Sequence, residues 1–327
     1  MAVCALTSSS IGYAQNVSEI KVGIIGCDTS HVIAFTKILN SKQPLQEADG
    51  IRVVVAFPGG SPDLPDSQDR VAGYVAQLKN EFHVEIVDSI PALLGKCDAV
   101  LLESVDGRPH WEQVQPILAA GKPVFVDKPF AGSLVDAIRI AQLAEKTKTP
   151  VFSSSALRFT PGIAKARNDE KTGNVIGCLA YSPCAVNQYH PDLYWYGIHG
   201  AETLFTIMGK GCVSVQRTYT EGTDIVTGVW NDGRVGTFRG IRHGHKEFGA
   251  LVFGTKGVHT TGGFTGYDPL VVEIARFFKT GKSPVPLSET IEILAFMNAA
   301  DISKKNNGAV VLLSDVLERA KQQAAGK

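Results

Sequence analysis

Four groups of residues in this chain could do chemistry. The stretch KVGIIGCDTSH, residues 21 to 31, is an apolar run ending on Gly26. Such a run enters a tight turn whose free amides, with the positive end of the next helix, can receive a diphosphate. A full dinucleotide fingerprint asks for glycine two and five residues after Gly26, and the chain supplies Asp28 and His31. A carboxylate beside a diphosphate opposes binding unless it turns away or bonds a ribose. Asp28 and Ser30 would also suit capping of the helix, with His31 on its first turn. We read a bent turn that still binds through Gly26, Cys27, Asp28, Thr29, Ser30 and His31.

The triplet Asp127, Lys128, Pro129 is the second group. A lysine at the carboxyl end of a parallel strand stands where sites of such folds collect, and desolvation lowers its pKa toward proton transfer. The third is YHPDLYWYGIHGAETLF, residues 189 to 205. His199 opens a helix and can exchange a proton near neutrality, with Glu202 on the same face to orient it. Asp192 or His190 could supply a further acid or base, and Tyr194 and Trp195 suit stacking on a sugar ring. The fourth is scattered: Ser104 and His110 in the loop above the fourth strand, and Arg158 at a domain junction. His110 also has a capping explanation, and Arg158 an ion-pair one. Metal ligation by His190, Asp192, His199 and Glu202, or by His31, His243 and His245, lacks any compact H-E-x-x-H spacing, so no metal site is expected.

Two domains must position these groups, because 327 residues exceed what a single core usually supports. From residue 20 to 157 short β-rich runs alternate with amphipathic segments, which predicts a Rossmann-like doubly wound α/β parallel sheet. The second strand, IRVVVAF, runs into Pro58, Gly59, Gly60 and Ser61 with no Asp or Glu to hold a ribose. NAD and NADP therefore stay equal candidates. From residue 158 to 327 longer β-rich runs follow one another, with Asp232-Gly233 as a hairpin turn. They predict an α+β domain with a large open, mostly antiparallel sheet, one face covered by helices including PLVVEIARFFKTG.

The order of these motifs resembles the Gfo/Idh/MocA family of oxidoreductases. KVGIIG stands for its first strand, DAVLLESVDGRPHWEQVQPILAAGKPVFVDKP for its segment ending in E-K-P, and SSSALRF for its strand ending in R-F. YGIHGAETLFTIMG resembles its G-x-H-x-x-D helix, and VFGTKG its late strand and turn. The resemblance implies a nicotinamide cofactor, NAD or NADP, and hydride transfer to or from a sugar, cyclitol or related polyol. It also implies that Lys128 and His199 handle the substrate hydroxyl proton. Departures are visible: Asp127 replaces the family's Glu, and Trp195 stands where an Asp usually precedes the histidine. Two rivals follow from them, a glycoside-cleaving or eliminating enzyme that uses NAD transiently, and a cofactor-poor sugar-binding protein. The open sheet implies a homodimer or homotetramer.

Composition narrows the partners. Lys+Arg and Asp+Glu balance at 32 each, so no field draws a nucleic acid. Outside the N-terminus no run of about 18 apolar residues suits a membrane. The six cysteines form no C-x-x-C pair and read as small buried hydrophobes. Residues 1–19 read as an export signal lacking its basic start, which favours a periplasmic location over a cytoplasmic one.

Overall fold

The computed structural model describes residues 19–326, so the leader reading, and Cys4 with it, lies outside the described residues. The first domain comprises β1 (Ile20–Ile25), α1 (Ser30–Leu39), β2 (Ile51–Phe57), α2 (Pro65–Glu81), β3 (Glu85–Ile86), α3 (Ile90–Leu94), β4 (Ala99–Leu102), α4 (His110–Ala119), β5 (Val124–Val126), α5 (Leu134–Thr147) and β6 (Val151–Phe152). Its six strands are all parallel, in the order β3-β2-β1-β4-β5-β6. The order reverses between β1 and β4, where open sheets of this type place ligands. Local chemistry sets the helix starts. Ser133 caps α5 by accepting from the Asp136 amide while its hydroxyl bonds the Asp136 carboxylate. Thr29, rather than Asp28 or Ser30, caps α1 by accepting from the His31 amide.

The second domain adds α6 (Pro161–Ala166), β7 (Val175–Pro183), α7 (Asp192–Trp195), α8 (Ile198–Met208), β8 (Cys212–Thr220), β9 (Thr223–Trp230), β10 (Val235–Ile241), β11 (Gly249–Gly254), β12 (Val258–Thr260), α9 (Asp268–Thr280), α10 (Leu287–Lys305), β13 (Val311–Leu312) and α11 (Leu313–Ala324). Its seven strands run in the order β12-β11-β7-β10-β9-β8-β13. Every neighbouring pair is antiparallel except β7 with β10. The β9–β10 hairpin turns at Asp232-Gly233, with Gly233 at φ +85°. Helix α8 lies so close on this sheet that a Cβ at Gly200 would sit 2.1 Å from the Phe238 ring. That closeness holds the residues at the start of α8 firmly against the domain junction.

One expectation is corrected here. Helix α9 does not cover the open sheet; its Leu270, Val271, Ile274 and Phe277 join Val22, Phe35, Phe125 and Phe152 in the core of the parallel sheet. Its apolar stripe completes a face that α1 alone leaves open. The four phenylalanines are fully buried, each worth about 1.5–3 kcal/mol relative to exposure. The chain thus returns to its first domain after building the second, and α10 and α11 pack on α5. The five described cysteines are free and buried. Among the described residues no helix is long and apolar enough to cross a membrane.

Candidate active site

A cleft of about 520 Å³ lies at the carboxyl end of the parallel sheet, where α8 meets it. Lys128 and His199 both line it, together with Thr29, Ser30 and His31 of the first turn. Its aromatic wall is Trp195, Tyr196, Phe248, Phe264 and Tyr267, and Arg70 and Tyr74 of α2 close one side. Lys128 stands two residues beyond the end of β5, and Nζ stands 5.9 Å from the centre of the Tyr196 ring. Burial lowers its pKa, an effect that nearby Asp127 opposes only in part. His199 is held well below the usual histidine value, first by burial and then by the Lys128 ammonium. Its imidazole is therefore neutral, with Nδ1 2.8 Å from the Ser155 hydroxyl. A neutral imidazole beside an amine of lowered pKa can pass a hydroxyl proton.

The second departure from the fingerprint is ordered too. His31 Nδ1 lies 2.6 Å from Asp127 Oδ2, and Asp127 Oδ1 accepts from the Lys128 amide at 2.8 Å. Burial pushes Asp127 up, but His31 and Lys128 outweigh it and hold the carboxylate below its usual range.

Several residues singled out from the sequence stand elsewhere. Asp192 does not enter the cleft: Lys304 Nζ donates to it at 2.5 Å and Arg217 at 3.1 Å. Tyr194 is fully buried, its hydroxyl donating to the Leu294 carbonyl, so it offers no face to a sugar. Arg158 is consumed by Glu202 at 2.5 Å and Glu289 at 2.8 Å, which leaves neither Arg158 nor Glu202 for substrate. Ser155, not Glu202, fixes His199. His190 bonds Asp106 at 3.0 Å with its side chain wholly buried, and acts on the cleft only by packing its ring 4.9 Å from Trp195. His110 is buried with Nε2 2.9 Å from the Ser104 carbonyl and Nδ1 3.3 Å from the Phe130 carbonyl, and burial keeps its pKa down, so the neutral ring donates to only one of the two. Ser104 donates to Gln113, Cys27 is buried with its thiol pushed up chiefly by burial, and Pro129 is buried behind Lys128.

Sequence reasoning missed Ser155, Phe248, Phe264 and Tyr267. Phe264 and Tyr267 sit in the glycine-rich GGFTGYD, where aromatic residues without an apolar period were the available signal.

The two ends of this region differ in how they suit a dinucleotide. Gly26 behaves as the fingerprint asks: φ is +88°, and a Cβ would fall 2.4 Å from the Ser104 amide nitrogen. Beyond it the loop 58–64 lies on the turn. The Cys27 amide, which would face a diphosphate, donates to the Pro58 carbonyl at 2.7 Å. A Cβ at Gly59 would stand 3.2 Å from the Gly26 Cα. Asp28 is wholly buried, accepting from the Val105 amide and the Ser67 hydroxyl. Asp106 gathers Ser61, Arg108 and His190, and Arg108 reaches on to Asp63. Burial raises Asp106, but these donors overcome it and hold the carboxylate far below its usual range. The open cleft at Lys128 and His199 has room for a nicotinamide, whereas loop 58–64 lies over Gly26 and Cys27, where the diphosphate and adenosine end of such a cofactor would rest. Among the described residues no three or more His, Cys, Asp or Glu gather as metal ligands.

Comparisons with known proteins agree with this fold. Residues 20–155 match the Gfo/Idh/MocA model, an oxidoreductase family with an NAD-binding Rossmann fold. YceM of Salmonella typhimurium is 38% identical over 85 residues, covering 26% of this chain and 27% of that protein. YMR315W of Saccharomyces cerevisiae is 27% identical over 170 residues, covering 49% of this chain and 43% of that one. The chain thus spans less than half the length of these curated relatives. The scyllo-inositol dehydrogenase of Lactobacillus casei, solved with NAD(H) and scyllo-inositol, superposes with a TM-score of 0.74 at 15% identity, covering 91% of this chain and 100% of that one. Residues 20–155 are thus similar to the NAD-binding Rossmann domain of the Gfo/Idh/MocA oxidoreductases, and the chain as a whole carries the two-domain fold of a dehydrogenase of known structure.

Proposed function

We propose that this protein is an NAD(P)-dependent oxidoreductase acting on a carbinol carbon of a sugar, cyclitol or related polyol. The observation that carries the reading is the placement of Lys128 and His199 together in one cleft with an aromatic wall. Oxidising a carbinol removes a proton from oxygen and a hydride from carbon. The chain's own residues provide for the proton: His199 or Lys128 takes it, and Ser155 holds the imidazole while it does so. Trp195 and Tyr196 offer ring faces against which the C–H side of a sugar can lie. A bound nicotinamide supplies the hydride acceptor or donor. Loop 58–64 has to leave the turn for the adenosine half to settle, at the cost of the bonds that hold it.

The open sheet supports self-association, because Ile176, Val213, Val229 and Val235 are exposed on its strands. A dimer or tetramer by light scattering at micromolar concentration is expected, and a monomer would refute that part.

The reading is tested by incubating the protein with NAD+ or NADP+ and a panel of polyols beginning with myo-inositol, and following absorbance at 340 nm. Accumulation of reduced cofactor with at least one polyol is expected. Calorimetry that finds no binding of either nucleotide overturns it. One observation favours a second reading, a sugar-binding or redox-neutral protein: the covered adenosine end. Thermal stabilisation by sugars and none by nucleotides would select it.

A further inference from the structure

The geometry points to His31 as a proton-transfer residue of the cleft, oriented by Asp127 as its positioning residue. His31 replaces the third glycine of the fingerprint and Asp127 the family's Glu, and these two replacements, 96 residues apart, meet at 2.6 Å. A short bond between a buried carboxylate and Nδ1 selects the tautomer that carries its hydrogen on Nδ1, which leaves Nε2 with its lone pair. Both oxygens of Asp127 are engaged, one by the imidazole and one by the Lys128 amide, so the carboxylate cannot rotate away. The ring is fixed on its faces as well: Phe35 stacks at 5.1 Å with an interplanar angle of 11°, and Tyr267 meets it edge-on at 4.8 Å. His31 nevertheless lines the cleft, its side chain 10% exposed, and Nε2 has no partner among the described residues. A histidine kept only for packing has no need of an oriented carboxylate behind it and an open nitrogen in front.

The step is a proton transfer. A substrate O–H breaks, the electron pair stays on oxygen, and the proton joins Nε2, giving an imidazolium that the Asp127 carboxylate neutralises. The reverse transfer returns it. Three proton carriers then share one cleft: Lys128, His199 held by Ser155, and His31 held by Asp127. The inference rests on the oxidoreductase reading for its substrate, but the tautomer and the open nitrogen do not depend on it.

The test has two arms. In ¹⁵N-labelled full-length protein, the imidazole resonances absent from His31→Phe identify His31. We expect the neutral ring to carry its hydrogen on Nδ1, and tautomer mixing in Asp127→Asn. An Nε2–H tautomer, or an imidazolium unchanged from pH 6 to 9, overturns the proposal. In turnover with the polyol panel, His31→Gly is expected to lose about 10²-fold or more in kcat. Added imidazole should restore part of it, which a purely structural histidine would not allow. His31→Phe keeps the aromatic packing and should stay inactive; full activity in His31→Phe also overturns the proposal. If the wild type turns over no polyol, the oxidoreductase reading fails and the NMR arm alone decides the dyad.

Discussion

The two ends of the cleft are built from the same kind of residue and do opposite things with it. At the adenosine end the carboxylates of Asp28 and Asp106 are buried and spent on Ser67, Ser61, Arg108, His190 and the Val105 amide. At the other end the Asp127 carboxylate is equally buried, yet it is spent on aiming His31 into open space. A buried acid closes a loop when all its donors belong to the framework, and prepares chemistry when one donor keeps a second, free nitrogen. The difference lies in the partner rather than in the acid.

Substitutions at the open end should have the largest effects. Lys128→Met removes a proton carrier and should cost about 10²–10⁴-fold in kcat/KM, with little loss of fold, measured by steady-state turnover of the best polyol. Ser155→Ala frees His199 and should cost about tenfold in kcat, on the order of 1.4 kcal/mol of transition-state stabilisation. Equal activity in Ser155→Ala would show that the hydroxyl does not orient the imidazole.

Glu103 joins the two ends, because its carboxyl is wholly buried with neither oxygen bonded. Burial first, then Asp127 and Asp28, raises its pKa well above 4.5. The folded state keeps it protonated while the unfolded chain ionises it, so its contribution is fully present below about pH 4.5 and is lost as pH rises through the folded value. Glu103→Gln should therefore flatten the decline of stability with rising pH, read from urea unfolding at several pH values. An unchanged slope would mean that this acid is not held neutral. At the sealed end, Arg108→Ala removes the side chain that ties Asp63 to Asp106, and should loosen loop 58–64 and tighten NAD+ binding about two- to fivefold by calorimetry. Weaker binding would show that the loop assists the cofactor instead of covering its place.

The parts of this comparison legible in the sequence were the local ones. The apolar run before Gly26, the strand before Lys128 and the helix carrying His199 all stand where periodicity and turn residues put them. What could not be read was which charges neutralise one another. Asp192 looked like a catalytic acid because Lys304, 112 residues away, was not visible as its partner. Arg158 and Glu202 looked like two site residues and are one buried ion pair. Helix α9 carries an apolar stripe that would suit either sheet, and only the return of the chain to α1 decides between them.

Hydrogen exchange of the protein with and without saturating NAD+ tests the contrast between the ends most directly. The account predicts that the amides of Cys27, Ser61 and Leu64, all bonded in the covered loop, exchange faster when the nucleotide binds, while those around Lys128 and His199 exchange more slowly. Slower exchange at Cys27, Ser61 and Leu64 on binding would contradict the cover over the adenosine end, and no binding at all would contradict the oxidoreductase itself.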